Sequence, residues 1–372
     1  MKDKRKKIMT IFISTLILMV FVLLFNGNHT RHQDEFLGRQ WYIKNDGSCS
    51  EIEITPELCG ISKFKRNIDI NISHIWNKKL QNFNNVIIAV IDTGIDFQHE
   101  DLVGKEWINR GEIPNDGIDN DNNGYIDDIN GWNFCENNNK LLSGEEVYEN
   151  DHGTMVAGII AANHNSIGIA GIAGQCNVSI MSIKILTELT RKGNIDNLIK
   201  GIEYAENMGA DICNLSLGFL NKNKKIEKIM RESSMLFVTS AGNQGENLDV
   251  NKQYPACYLL DNVITVASMG FDGELDSRSN YGKKYVDVVA PGTYLYSTCV
   301  NNSYNYDSGT SMATAVVTGS AAIIYANRSK VTPNEVKKVI CKNVILLDKF
   351  KNVISSRGYV DAKKAIEDAL NL

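Results

Sequence analysis

Six short apolar-rich runs, at 86–91, 178–183, 211–215, 235–239, 263–267 and 286–289, read as strands. The first, Val86-Ile87-Ile88-Ala89-Val90-Ile91, has no polar position, the mark of a parallel strand buried on both faces. Five candidate helices fall between and beyond these runs, at 154–163, 195–208, 222–232, 311–326 and 333–342. The last opens on Thr332-Pro333-Asn334-Glu335, a capping threonine followed by proline in the first turn. Alternating strands and helices predict an α/β fold, a three-layer sandwich whose mostly parallel sheet carries helices on both faces.

A further apolar run has a different meaning. Ile8 to Phe25 gives 18 residues without a charge, after five cations and one acid in Met1 to Lys7. A secretory core usually spans about 7–15 residues, and Leu23-Leu24-Phe25-Asn26-Gly27 lacks a small-x-small cleavage pattern. The expectation is a transmembrane signal anchor at 8–25, a cytoplasmic basic tail at 1–7, a stalk at 26–35 and a domain at 36–372 outside the cell. Secretion after cleavage is the alternative.

The chain has 372 residues, 43% hydrophobic and 22% charged, enough for one large core or two small ones. A net charge of −5, with no basic-aromatic cluster, excludes nucleic acid as the expected partner; a monomer is expected. The eight cysteines are too sparse for a disulfide framework, and no Cys-x-x-Cys spacing suggests zinc. Cys49 and Cys59 could pair in an oxidising exterior, whereas Cys213, inside an apolar strand, reads as a small buried hydrophobe.

Three polar residues stand at positions where chemistry is done. Asp92 ends the first strand, where α/β sheets place catalytic groups. His152, in Asn150-Asp151-His152-Gly153-Thr154, begins a helix of small residues. Ser311, in Ser308-Gly309-Thr310-Ser311-Met312-Ala313, begins another, where unpaired backbone N–H groups favour developing negative charge. Each alone would pass for a cap or a turn residue. Together they are an acid, a base and a nucleophile.

These motifs resemble those of the subtilisin-like serine proteases, the subtilases: Asp-Thr-Gly-Ile-Asp at 92–96, His-Gly-Thr at 152–154 and Gly-Thr-Ser-Met-Ala at 309–313. The resemblance runs from about Gln40 to the C-terminus and implies a subtilisin-like sandwich and a serine endopeptidase acting on peptide or protein substrates. It assigns Ser311 as nucleophile, His152 as general base, Asp92 as orienter of the imidazole and Asn243, in Ser240-Ala241-Gly242-Asn243, as oxyanion donor. Ala315 stands where the family usually has proline, which implies altered local rigidity with activity retained. A silent binding module on this fold is the alternative, as is a protease dedicated to one precursor. The stretch before the domain is too short for the family's folded propeptide, so none is expected.

The resemblance also implies substrate contacts: Ser216, Leu217 and Gly218 as the receiving edge, and Ser240, Ala241 and Gly242 as the opposite wall. Gln244 and Gln253 fall where the family varies the pocket floor, and Gln253 is expected to narrow it. Between Asp92 and His152 an acidic insertion at about 107–148 contains Asp119, Asp121, Asn123 and the Tyr125 carbonyl, oxygen ligands at alternate positions around Gly124, with Asp127 or Asp128 in place of the glutamate such a loop would end on, where Asn130 stands; the spacing suits calcium. A second calcium site is implied by resemblance alone, from Asp101 and the Asn165 side chain with carbonyls of Asn163, Ile167 and Ile169.

Overall fold

The computed structural model describes residues 34–47, 65–78, 80–142, 151–186 and 194–371. The expected anchor at 8–25, its tail, the stalk up to residue 33 and the Cys49/Cys59 pair lie outside them. Among the described residues no helix is long and apolar enough to cross a membrane. Asp34–Leu372 forms one compact unit. Asp34 is tied into it, its Oδ1 accepting hydrogen bonds from the Asn165 and Ser166 amides at 2.9 and 2.8 Å.

In chain order the elements are α1 (Ser73–Trp76), β1 (Val86–Asp92), β2 (Gly131–Asn133), α2 (Asp151–Ala161), β3 (Val178–Lys184), α3 (Ile195–Asn207) and β4 (Ile212–Leu215). There follow α4 (Lys224–Glu232), β5 (Leu236–Ser240), β6 (Val263–Met269), β7 (Val288–Pro291), β8 (Leu295–Cys299) and β9 (Ser303–Asp307). The chain then forms α5 (Thr310–Asn327), α6 (Pro333–Lys342), β10 (Val344–Leu346), β11 (Gly358–Val360) and α7 (Ala362–Leu370). Nine strands make one sheet in the order β10-β11-β7-β6-β5-β4-β1-β3-β2, parallel except for β10 against β11.

Strand periodicity divides the core in two. Ile88 and Val90 of β1 join Val238 and Val266 in a cluster with α2, α5, α6 and α7, while Ala89 and Ile91 face α3, α4 and Trp107, Trp132 and Phe134 of the insertion. The three layers expected from the sequence are therefore present. Helix α2 approaches the sheet closely because of glycine: a Cβ on Gly153 would collide with the Gly94 carbonyl oxygen. Helix α5 is buried along its whole length, runs unbroken through Ala315 and lies across the middle strands. It begins beside the carboxyl ends of β1, β4 and β5, and that placement assembles the site.

Candidate active site

Strand β1 carries Asp92 to the carboxyl edge of the sheet, 1% exposed. Its Oδ1 accepts the amide of Thr93 at 2.7 Å and faces His152 Nδ1 at 2.7 Å. Thr93 ties the same turn to α2, its Oγ1 accepting the Gly153 amide at 3.0 Å. Asp92 thereby fixes which imidazole nitrogen bears the proton, leaving Nε2 as the basic one. The Lys184 ammonium, paired in register with Asp92 across β1 and β3, donates to the Thr93 carbonyl from below.

Ser311 occupies the first turn of α5, next to the end of β4. Its Oγ donates a long hydrogen bond to the Ser216 carbonyl at 3.4 Å, while Ser216 Oγ donates to the Ser311 carbonyl at 3.3 Å. Beneath them Asn214 joins Ser216 Oγ at 3.0 Å and Thr318 Oγ1 at 2.8 Å, locking strand to helix. Asn243 Oδ1 accepts both the amide and the hydroxyl of Thr310 at 2.9 Å. With its oxygen spent there, Asn243 offers its Nδ2 hydrogens as donors. Thr93 and Thr310 are positioning residues that lay inside the recognised motifs without being singled out.

His152, Ser216, Leu217, Gly218, Asn243 and Ser311 line one groove of about 260 Å³, extended by the apolar side chains Ile185, Leu186, Ile195 and Leu198. Ser240 ends β5 and Ala241 follows it, while Gly242 and Gln253 meet beside the groove without lining it.

The acidic residues divide differently. Glu112, Asp119 and Asp121 each bring one carboxylate oxygen within 4.8 Å of the others. Glu112, which the sequence reading passed over, lies outside the alternating run. Asn123 turns its amide to Asp121 and Asp128, and Asp127 spends its carboxylate on the Asp116 and Gly117 amides at 3.2 and 3.1 Å. Tyr125 packs its ring against Trp132, Phe134 and Tyr204. At the second loop Asp101 Oδ2 accepts the Ile169 amide at 2.8 Å and the Tyr304 hydroxyl at 2.9 Å. Its buried Oδ1 has no hydrogen-bond partner. Burial pushes the Asp101 carboxyl up to about 6, and the nearby Asp34 charge adds to the rise. Asn165 Oδ1 is held by the Ile167 amide at 2.9 Å, and the Asn163 amide donates to the Asp101 carbonyl at 2.8 Å.

Residues 84–365 match the subtilase family, and the chain belongs to it: a member of the subtilisin-like serine proteases. It is 35% identical over 307 residues to subtilisin-like protease 1 of Plasmodium berghei (strain Anka), covering 76% of this chain and 50% of that protein. It is 32% identical over 301 residues to the major intracellular serine protease of Bacillus subtilis (strain 168), covering 78% and 85% respectively. A solved protease structure from Pseudoalteromonas arctica PAMC 21717 superposes with a TM-score of 0.63 at 25% identity, over 91% of this chain and 100% of that one. Against the Plasmodium relative the chain spans about half the length.

Proposed function

We propose that this chain is a serine endopeptidase whose reaction is carried by Asp92, His152, Ser311 and Asn243. The observation that carries the reading is the 2.7 Å contact between Asp92 Oδ1 and His152 Nδ1 in a groove shared with Ser311. Ser311 Oγ attacks a peptide carbonyl carbon as His152 Nε2 removes its proton, and the carbonyl electrons move to the oxygen. The resulting oxyanion takes hydrogen bonds from Asn243 Nδ2 and the Ser311 backbone amide. His152 then returns the proton to the departing amine, the C–N bond breaks, and an acyl-serine remains. Water, deprotonated by His152, completes hydrolysis. A fluorophosphonate probe tests this: the wild type should label and Ser311→Ala should not. An unlabelled, folded wild type would sink it.

Calcium suits the two oxygen-rich loops. The buried, unpartnered Asp101 Oδ1 beside Asp34 is a carboxylate lacking its counter-charge, and the Glu112/Asp119/Asp121 triplet offers hard oxygen donors. Asp101, Asp34 and loop carbonyls would hold one ion, and the triplet another. Bound calcium supplies charge neutralisation and loop rigidity and takes no part in the proton transfers. The uncharged run Ile8–Phe25 behind five cations supports a tether to the membrane with the enzyme on the outer side. Fractionation of the full chain, with protease shaving of intact cells, tests this; a protein recovered only in the soluble fraction would overturn it.

A further inference from the structure

Helix α5 carries several hydroxyl side chains into the core, and Thr318 uses its own differently from its neighbours. Thr314 and Ser320 donate to the carbonyls four residues back, at 2.7 and 2.9 Å, the local solution open to a hydroxyl inside a helix. Thr318, fully buried, donates instead across to β4, reaching Asn214 Oδ1 at 2.8 Å. Asn214 is fully buried too, and its register neighbours on β1 and β5 are Val90 and Val238. An amide in such surroundings must find its partners within the protein.

The resulting bonds form a chain with one direction. Thr318 donates to Asn214 Oδ1, Asn214 Nδ2 donates to Ser216 Oγ at 3.0 Å, and Ser216 Oγ donates to the Ser311 carbonyl at 3.3 Å. The Ser216 hydroxyl has a single hydrogen. Facing the Asn214 N–H, it keeps that hydrogen for the Ser311 carbonyl; facing the amide oxygen, it would spend it there. The Asn214 amide presents its N–H because its oxygen is held by Thr318. Take that hydroxyl away, and the oxygen gains by turning to Ser216, which then releases Ser311. Thr318 follows Ser311 by seven residues, about two turns, and so lies on the same face of α5. It does not line the groove.

We infer that Thr318 is a positioning residue for the nucleophile. By orienting the Asn214 amide it reserves the Ser216 hydroxyl for the Ser311 carbonyl, and so sets the first turn of α5 against the end of β4. That turn carries both Ser311 Oγ and the Ser311 amide that meets the oxyanion, so a tilt harms attack and charge stabilisation together. The inference rests on the endopeptidase reading and adds a residue that acts on the reaction from outside the groove.

The test is steady-state cleavage of one peptide, with active enzyme counted by fluorophosphonate titration and Tm measured alongside. A misplacement of about 1 Å can cost on the order of 100-fold, and Thr318→Val, a smaller disturbance, should lower kcat about tenfold with KM little changed. Thr318→Ser, which keeps the hydroxyl, should restore most of that loss; a lesion of packing alone would not be rescued this way. Thr318→Ala repeats the measurement should the valine fail to fold. Ser216→Ala breaks the same chain further along, so adding Thr318→Val to it should lower kcat no further. Wild-type kcat in folded Thr318→Val or Thr318→Ala, or losses that multiply in the double variant, would overturn the inference and leave the endopeptidase intact. A folded wild type that neither labels nor cleaves would remove the endopeptidase reading itself, and this inference with it.

Discussion

The catalytic centre and the acidic insertion are both dense in polar groups, yet they are built on opposite plans. At the centre the bonds join distant parts of the chain: Asp92 to His152, Thr310 to Asn243, Ser311 to Ser216. Each partner sits at the end of a buried strand or the start of a buried helix, so the sheet sets the geometry. In the insertion the bonds are local. Glu112 Oε1 accepts the Asn120 and Asp121 amides at 2.7 and 3.1 Å, and Asp119 accepts those of Asn123 and Gly124 at 3.0 and 2.8 Å. Ile113, Ile118 and Ile126 are left in solvent, 59%, 57% and 48% exposed. The insertion is a self-tied knot of carboxylates and amides, joined to the sheet by β2 and by the Tyr125, Trp132, Phe134 and Tyr204 rings. Chemistry should therefore reside in one region, and calcium-dependent stability in loops outside it.

The sharpest way to break that division is Ser311→Ala. It should lower kcat by about a million-fold, the magnitude characteristic of subtilisin nucleophile removal, with the melting temperature nearly unchanged. Next comes Asn243→Ala, expected to cost about 100- to 1000-fold in kcat with a small change in KM, again the subtilisin oxyanion-donor magnitude. A large rise in KM instead would assign Asn243 to ground-state binding. Chelation acts on the other region: an ion present at 100 times its Kd adds about 2.7 kcal/mol, so EDTA should lower Tm by several degrees. Asp101→Asn and Asp121→Asn, melted with and without EDTA, divide that shift between the loops. Asp101→Asn should lose the larger part, because its buried oxygen has no other partner; equal losses would make the loops equivalent. The smallest effect belongs to Tyr204→Phe, which removes the 2.6 Å hydrogen bond to Asp128 that fastens the insertion. About 1–3 kcal/mol of stability should go, with kcat/KM preserved; a fall in kcat/KM would mean that the insertion reaches the catalytic centre.

The sheet was legible because its central strands are buried on both faces, which leaves almost no room for polar residues: Val86 to Ile91 and Val263 to Ala267 are nearly uninterrupted apolar runs. Legibility failed where burial is one-sided or local. Strands β8 and β9 form an antiparallel hairpin rich in Tyr, Ser, Thr and Asn around Asn301-Asn302, and their mixed polarity hid them. Helix α7 was overlooked despite an Asp361 cap, being short and amphipathic beside a lysine pair. Strand β2 has only three residues inside an acidic stretch. Within the site, Asp92 contacts His152, and His152, Asn243 and Ser311 share one groove, because spacing along the chain does not matter once strand ends converge. Glu112 and Asp34 were missed because each reaches its loop through folding, with no local periodicity to mark it.

The two outermost strands of the main sheet, β10 and β2, are three residues each. Without β2, the seven-residue strand β3 would expose a long row of unpaired amides and carbonyls, a template for a second chain to add its own strand. On the β3 side the cover is furnished by the insertion between Asp92 and His152, whose Asn133 turns away at once into a bridge with Asn138. The same segment that gathers acidic oxygens thus blunts an aggregation-prone edge, so deleting it whole should threaten solubility before it threatens anything else.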